Sequence, residues 1–516
     1  MSLRWSLLLV PLYLLFVNLD HVALWDDEAQ TATFARNYNQ THQLTGWNGH
    51  NLYAYRNGTL LRADLSTIQP PLDIIVTALS FRWWGESRRT ARVLFAVAGL
   101  VSWVLLFAWT KTWSAGGSVF VYWATLAYGC SVAFIINARQ CRYYGLCLMF
   151  GTALLWLVGI GSAHKRRWPW AVFPVAFLGL YLSNYLVGVA WLLALVLVGG
   201  VFHRERVGQN RVWVSMSVLT SLIMAVSHAV YFRIWDRADI IYSDSWLHRR
   251  LHHLWNYPRD IIYFLPLTLA VVVWALAHRH GQAKVKWVLA LLVANAAFLA
   301  LLTPQPGDSP YSDIRFMVLA IPLSAYAMGY LLVCLERRAR WLAWLVFGIA
   351  TTTNVFALGY TRQHFQWTLP QLGVSLHREY PTSIAMSADY LKLHAQSGDT
   401  FLAAPDHFNY PLAYLLPQLV NCCTLDQHTP LKSARKLTAP LFKEENEPRW
   451  LILFERLDHT LAVLREFSDR GLHYELVKSL NVYWDQTQRP EPMFHRFLPV
   501  VDFDRARSGV YIYRKR

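Results

Sequence analysis

Three carboxylates in a row stand directly after the first long apolar stretch, in the run Trp25-Asp26-Asp27-Glu28-Ala29-Gln30. Charged groups at such a boundary are costly unless they are solvated, paired or capping a helix. A carboxylate in that place can also deprotonate an acceptor hydroxyl, which then attacks a sugar carbon. Neighbouring helical residues diverge by about 100°, so Asp27 and Glu28 cannot share one role. Asp27 followed by Gln30 also fits a capping box at the start of a helix through EAQTATFARN, which is the structural alternative.

Cations that could meet an anionic substrate lie further along. Arg139 and Arg142 flank Gln140 and Cys141, with Tyr143 next, and Arg315 follows Asp313 in DSPYSDIRF. A guanidinium matches phosphate bidentately. Pairing of Arg139 or Arg142 with the three acids, and of Arg315 with Asp313, is the simpler alternative. Gln69-Pro70-Pro71-Leu72 marks a fixed entry to a helix, because proline suits a first turn. Leu72, Ile75, Val76, Leu79 and Trp83 then form a stripe suited to a membrane surface. SDSWLHRRLHHLW at 243–255 has the same character, with Arg249, Arg250, His252 and His253 on a basic face that points to headgroup anchoring. Its histidines do not specify a full metal-ligand set.

The elements that must position these groups are membrane spans. The 516 residues are 55% hydrophobic and only 16% charged, against about 25% charged in soluble domains. Apolar runs of roughly the 20 residues a span needs occur near 4–22, 91–110, 116–136, 144–162, 168–183, 185–202, 212–231, 261–278, 286–303, 316–334 and 341–360. The first lacks a small-residue cleavage site and reads as an uncleaved span. The net charge is +16, but its lysines and arginines sit in short tracts between apolar runs, which indicates membrane topology rather than nucleic-acid binding. Lys111, Lys165 to Arg167, Arg204 to Arg211, Arg279 to Lys286 and Arg337 to Arg340 fall in alternate loops. That bias places the N-terminus in the cytoplasm and three long segments outside: about 20–89, 232–260 and everything from about 361.

The expected division is a membrane domain, 1–360, and an extracytoplasmic soluble α/β domain, 361–516. In the latter, 386–395 has helical spacing, and TFLAA, RWLILF, HYELVKSL and GVYIYR read as strands. The six cysteines include no CxxC or Cys/His spacing, so they do not suggest a metal site.

In this order, the pieces resemble the GT-C superfamily of polyprenyl-phosphate-sugar-dependent glycosyltransferases, in the branch of the protein O-mannosyltransferases and the lipid A aminoarabinose transferases. The likeness rests on Asp27-Glu28 after span one, Pro70-Pro71, the entry ESRRTARVL to span two, RQCRYY, and SDIRFMVLAIP before a late span. It covers roughly residues 1–335.

The resemblance implies an α-helical polytopic plasma-membrane (inner-membrane) enzyme with juxtamembrane helices, built on about eleven spans. Its implied reaction moves a sugar from an undecaprenyl- or dolichyl-type phosphate to a lipid, glycan or protein acceptor, with inversion. Asp27 would be the base and Glu28 its catalytic neighbour, orienting an arginine or the acceptor. Arg139, Arg142 and Arg315 would bind the donor phosphate, and Asp26, Gln69, Pro70, Pro71, Tyr143 and Asp313 would line the cavity. No cofactor is required, and a divalent metal beside the phosphate is compatible with the scheme. Gln69 departs from the aminoarabinose branch, which carries lysine before the double proline, and no β-trefoil insert of the eukaryotic mannosyltransferases fits. The competing class is a transporter or flippase for an anionic lipid or lipid-linked sugar. Transporters place charges at the bilayer midplane within repeated halves, whereas these charges sit at the outer boundary.

Overall fold

The computed structural model describes residues 6–44, 70–113, 117–164, 166–202, 211–231, 246–260, 283–303, 314–357, 365–377, 382–404, 408–421, 447–454, 464–465, 467–483 and 507–516. Contacts divide the chain into two compact units. One comprises Met1–Val17, Val93–Val374 and Pro490–Phe497; the other comprises Asn18–Arg92, Ser375–Arg489 and Leu498–Arg516. The second unit therefore joins the first acid-bearing loop to the C-terminal sheet.

The first unit is a helical membrane body. It opens with α1 (Leu9–Phe16), and the second unit then supplies α2 (Asp26–Thr41) and α3 (Leu72–Trp84). α4 (Arg88–Trp113) begins in the second unit and continues in the first. The helical body proceeds through α5 (Gly117–Gly129), α6 (Val132–Ala138), α7 (Tyr144–His164), α8 (Trp168–Ser183), α9 (Tyr185–Phe202), α10 (Arg211–Tyr231), α11 (Trp246–Asp260) and α12 (Ala283–Leu302). A 3₁₀ helix, Ile314–Leu319, then leads into α13 (Ala320–Arg338) and α14 (Arg340–Thr352).

Among the described residues, five helices are long and apolar enough to cross a membrane: α4, α7, α10, α12 and the 3₁₀ helix with α13. The expected span over 116–136 is broken into α5 and α6, bent by 58°. Ser131 makes the break by accepting the Phe134 N–H at 3.4 Å and so starting a new helix. α8 and α9 are shorter apolar helices. Among the described residues, the expected spans at 4–22 and 341–360 hold the eight-residue α1 and the thirteen-residue α14. The expected span 261–278 lies outside the described residues.

Close helix contact in this unit depends on small residues and a few buried hydroxyls. Ser102 of α4 meets the Tyr128 hydroxyl of α5 at 2.8 Å and Thr152 of α7 at 3.0 Å, and donates to the Leu148 carbonyl at 2.9 Å. A single side chain on α4 thereby satisfies groups on two further helices, linking three where buried polar groups must find partners within the protein. At Gly329 of α13, an added Cβ would lie 2.7 Å from the Ala124 Cβ and 2.8 Å from its backbone. This close approach is open only to glycine.

α11 corrects an expectation. Its composition predicts a basic face at the lipid headgroups, yet Arg250, His253, Asn256, Tyr257 and Asp260 are buried. Leu251 and Trp255 are 58% and 69% exposed instead. Arg250 donates to the Thr303 carbonyl and, at 3.3 Å, to the Ala300 carbonyl. The carbonyls ending α12 have no partners within the helix, so they draw the cation inward, and Leu251 and Trp255 face out.

The C-terminal part adds α15 (Leu369–Leu376), α16 (Ser383–His394), β1 (Thr400–Ala404), α17 (Asn409–Leu415), β2 (Val420–Asn421), β3 (Trp450–Phe454), β4 (Tyr474–Tyr483) and β5 (Arg507–Lys515). The sheet order is β2-β1-β3-β5-β4. β1 runs parallel to β2 and β3, and β5 is antiparallel to β3 and β4. The four longer strands and α16 fall where sequence periodicity placed them, while β2 has only two residues. Asp399 pins the start of β1 to β3 by accepting from the Trp450 indole at 2.9 Å, the Gln396 N–H at 3.0 Å and Arg449 at 2.6 Å. Burial pushes its carboxyl up, but these bonds and the Arg449 charge outweigh that and hold it below the ordinary carboxylate value.

Replacing Gly329 by leucine should lower stability by about 1–3 kcal/mol through overpacking. Gly348→Ala, where an added Cβ meets nothing within 4 Å, should be neutral or stabilising. Thermal unfolding in detergent measures both, and an unchanged Gly329→Leu midpoint would contradict the close approach.

Candidate active site

α2 carries the acids. Trp25 is extended (φ −80°, ψ 172°), and Asp26, Asp27 and Glu28 occupy the first turn. Their negative charge complements the exposed N–H groups and dipole of a helix start. The expected capping box is absent because the helix begins one residue before Asp27 and the Trp25 side chain makes no cap bond. The helix is enclosed over most of its length. Glu28 is fully buried, Asp27 is 9% exposed and Gln30 2%.

The helical repeat of about 100° per residue sorts these residues into faces. Glu28 and Asn39 share one face, and Asn39 donates to the Ala78 carbonyl of α3 at 2.9 Å. Asp27, Thr31 and Phe34 share another. The Thr31 hydroxyl returns to the Asp27 carbonyl at 3.2 Å, and Phe34 meets Tyr410 of α17 edge-on at 6.3 Å. The helix that bears Asp27 is thereby packed against the C-terminal fold within one compact unit.

Glu28 is held by Arg92, at the start of α4. Nε donates to Oε1 at 2.8 Å and Nη2 to Oε2 at 2.5 Å. The remaining N–H groups reach the Leu19, Val22 and Ala23 carbonyls at 2.7, 3.1 and 3.2 Å. All five guanidinium donors are thus engaged. The side chains of Arg92 and Glu28 are 4% and 0% exposed. A buried pair of this kind is sustained only when its remaining donors are also satisfied. Sequence reasoning assigned Arg92 no site role. The available signal was its position inside the apolar run 91–110, where a charge calls for a partner.

Asp73 was also missed. It is 1% exposed in the first turn of α3, just after Pro70 and Pro71, and accepts the Ile74 N–H at 2.9 Å. Arg36 makes a third charged contact. It donates through Nε to both Glu86 oxygens at 2.9 and 3.0 Å and through Nη2 to the Tyr414 carbonyl at 2.9 Å, with its guanidinium over the Tyr414 ring at 4.7 Å.

The expected phosphate ligands lie in the first unit. Arg139 ends α6, is buried, and donates to the Leu14 carbonyl at 2.6 Å. Arg142 is half-buried, 5.6 Å from the Tyr143 ring centre, and Tyr143 packs on Tyr144 at 4.4 Å. Arg315 is half-buried on the 3₁₀ helix, which packs against α7. Gln69 and Asp313 lie outside the described residues. No group of three or more His, Cys, Asp or Glu side chains among the described residues could hold a metal.

No family model matches the chain, and no curated protein sequence matches it. Its fold, however, is similar to a solved structure, that of ArnT from Cupriavidus metallidurans bound to undecaprenyl phosphate. The TM-score is 0.59 at 14% identity, over 99% of this chain and 98% of that one. The chain therefore shares the fold of that structure: a polytopic helical membrane body with a small C-terminal α/β domain.

Arg92→Leu should cost roughly 3–5 kcal/mol, because Glu28 would be left buried without its cation. Arg92→Leu combined with Glu28→Met should recover much of that loss. Thermal unfolding in detergent separates the cases, and a single variant no less stable than the double would contradict the pairing.

Proposed function

We propose that this protein is a membrane glycosyltransferase that uses a polyprenyl-phosphate-linked sugar and inverts the anomeric centre. The observation that carries this reading is the near-complete fold correspondence with a protein whose structure holds undecaprenyl phosphate, together with acidic Asp27 in the first turn of α2. Asp27 takes the proton from the acceptor hydroxyl as that oxygen attacks the anomeric carbon. The carbon–oxygen bond to the lipid phosphate breaks, and the bonding pair leaves with the phosphate.

Glu28 supports this step as a positioning residue, because its carboxylate is engaged by Arg92. Arg142 and Arg315, both half-buried, stabilise the negative charge that grows on the leaving phosphate. Arg139 belongs to the same basic segment and also holds the end of α6 to the Leu14 carbonyl. Asp26, Gln69, Pro70, Pro71, Tyr143 and Asp313 are assigned to the walls of the cavity.

The N-terminus is placed in the cytoplasm and the C-terminal part on the opposite side of the plasma membrane, a reading that the basic tracts between spans support. The acceptor is a lipid, glycan or protein. The C-terminal fold takes part in recognising it, a role supported by the contact of α17 with α2 through Phe34 and Tyr410.

Purified protein should release free polyprenyl phosphate from the right member of a panel of lipid-phosphate sugars when an acceptor extract is supplied. Asp27→Asn should lower that release by roughly 10²–10⁴-fold with an unchanged melting temperature; undiminished release would remove Asp27 as the base. Arg142→Ala should raise the KM for the donor more than that for the acceptor. Equal changes in both, or poor folding alone, would assign Arg142 a structural role.

A further inference from the structure

The second unit carries a cationic and aromatic patch that the transfer reaction does not use. At the end of α3, Trp83 and Trp84 are 61% and 56% exposed, with ring centres 5.6 Å apart and planes at 79°. Arg82 precedes them, and Arg88 and Arg89 follow the turn; all three are exposed. Among the described residues, no carboxylate pairs with any of these arginines, and Glu86 within the same turn is engaged by Arg36. The segment 82–89 therefore presents three cations whose nearest acid in sequence is already neutralised.

The turn is fixed before anything binds. Gly85 adopts φ 79°. The Ser87 N–H donates to the Thr90 hydroxyl at 2.9 Å, the Thr90 N–H donates to the Ser87 hydroxyl at 3.1 Å, and the Thr90 hydroxyl donates to the Gly85 carbonyl at 2.7 Å. This reciprocal cap starts α4, which is long and apolar enough to cross a membrane. The patch therefore stands where the chain enters the bilayer. Indole rings favour that level of a membrane, and guanidinium groups there attract anionic headgroups. In the orientation proposed above, arginines at this end oppose the usual loop bias, so a local anion is needed to offset them.

We propose that Arg82, Arg88 and Arg89, with Trp83 and Trp84, form a docking surface for an anionic phospholipid of the surrounding bilayer. The headgroup phosphate lies among the guanidiniums, and the acyl chains run down past the two indoles beside α4. The surface also has a route to α2. Glu86 joins the same turn to Arg36, nine residues along the helix from Asp27. An occupied patch holds that ion pair in place, so turnover depends on anionic lipid. This dependence on turnover rests on the glycosyl-transfer reading; the binding itself does not.

The test uses delipidated full-length protein and measures retained lipid by native mass spectrometry during titration with phosphatidylglycerol or phosphatidylcholine. The wild type should retain phosphatidylglycerol preferentially and lose it steeply as salt rises. Arg82→Gln/Arg88→Gln/Arg89→Gln should weaken retention about a hundredfold at low salt, at roughly fivefold per arginine. The corresponding triple lysine variant should keep most of it. Arg337→Gln/Arg338→Gln/Arg340→Gln, which removes equal charge from another exposed cluster, should bind like the wild type.

Retention by the 82/88/89 glutamine variant equal to that of the wild type would overturn the proposal. So would an equal loss in the control variant. If the glutamine variant fails to fold, the wild type alone decides: retention that is flat with salt, or no preference over phosphatidylcholine, overturns the site. Failure of glycosyl transfer with salt-sensitive retention intact would count against the enzymatic reading only.

Discussion

The buried pair between Glu28 and Arg92 is the constraint on which the acid-bearing region depends. A carboxylate with no exposed surface must be matched by a cation, and a buried guanidinium must use all its donors. Arg92 meets both demands. It binds Glu28 through two nitrogens and collects the carbonyls of Leu19, Val22 and Ala23 with the rest. One side chain therefore fixes the first turn of α2, the chain that leads into it, and the first turns of α4. The backbone at Asp27 is thereby anchored through its neighbour Glu28.

A second set of contacts extends that order into the C-terminal sheet. Asn409 clips the end of β1 by accepting the Ala403 N–H at 2.9 Å and donating to its carbonyl at 3.0 Å. Phe408 stacks on Phe454, at the end of β3, with ring centres 3.8 Å apart. α17 leaves the sheet from this fixed corner and lies along α2, where Tyr410 meets Phe34 and Tyr414 meets Arg36. The sheet and the acids thus belong to one mechanical unit although more than 300 residues separate them in sequence.

What could be read beforehand follows from the kind of signal each feature leaves. Apolar runs and alternation are local, so the five long spans, the four longer strands and α16 were legible. The acids stood out because charge beside an apolar run is rare. Arg92 was hidden because its partner lies 64 positions away, and no local pattern encodes that distance. The break at Ser131 and the inward turn of Arg250 were hidden for a related reason. Each depends on which backbone group needs a partner, the Phe134 N–H in one case and the Thr303 carbonyl in the other. Hydrophobic spacing alone placed the α11 cations at headgroups, whereas the unsatisfied end of α12 drew one of them inward.

The role proposed for Asp27, a base in a single displacement, has a stereochemical signature. The direct measurement is the anomeric configuration of the transferred sugar, read by nuclear magnetic resonance from the coupling constant at its anomeric carbon–hydrogen pair and compared with that of the lipid-linked donor. Inversion is the predicted result. Retention would require a covalent or otherwise double displacement and would contradict the role given to Asp27.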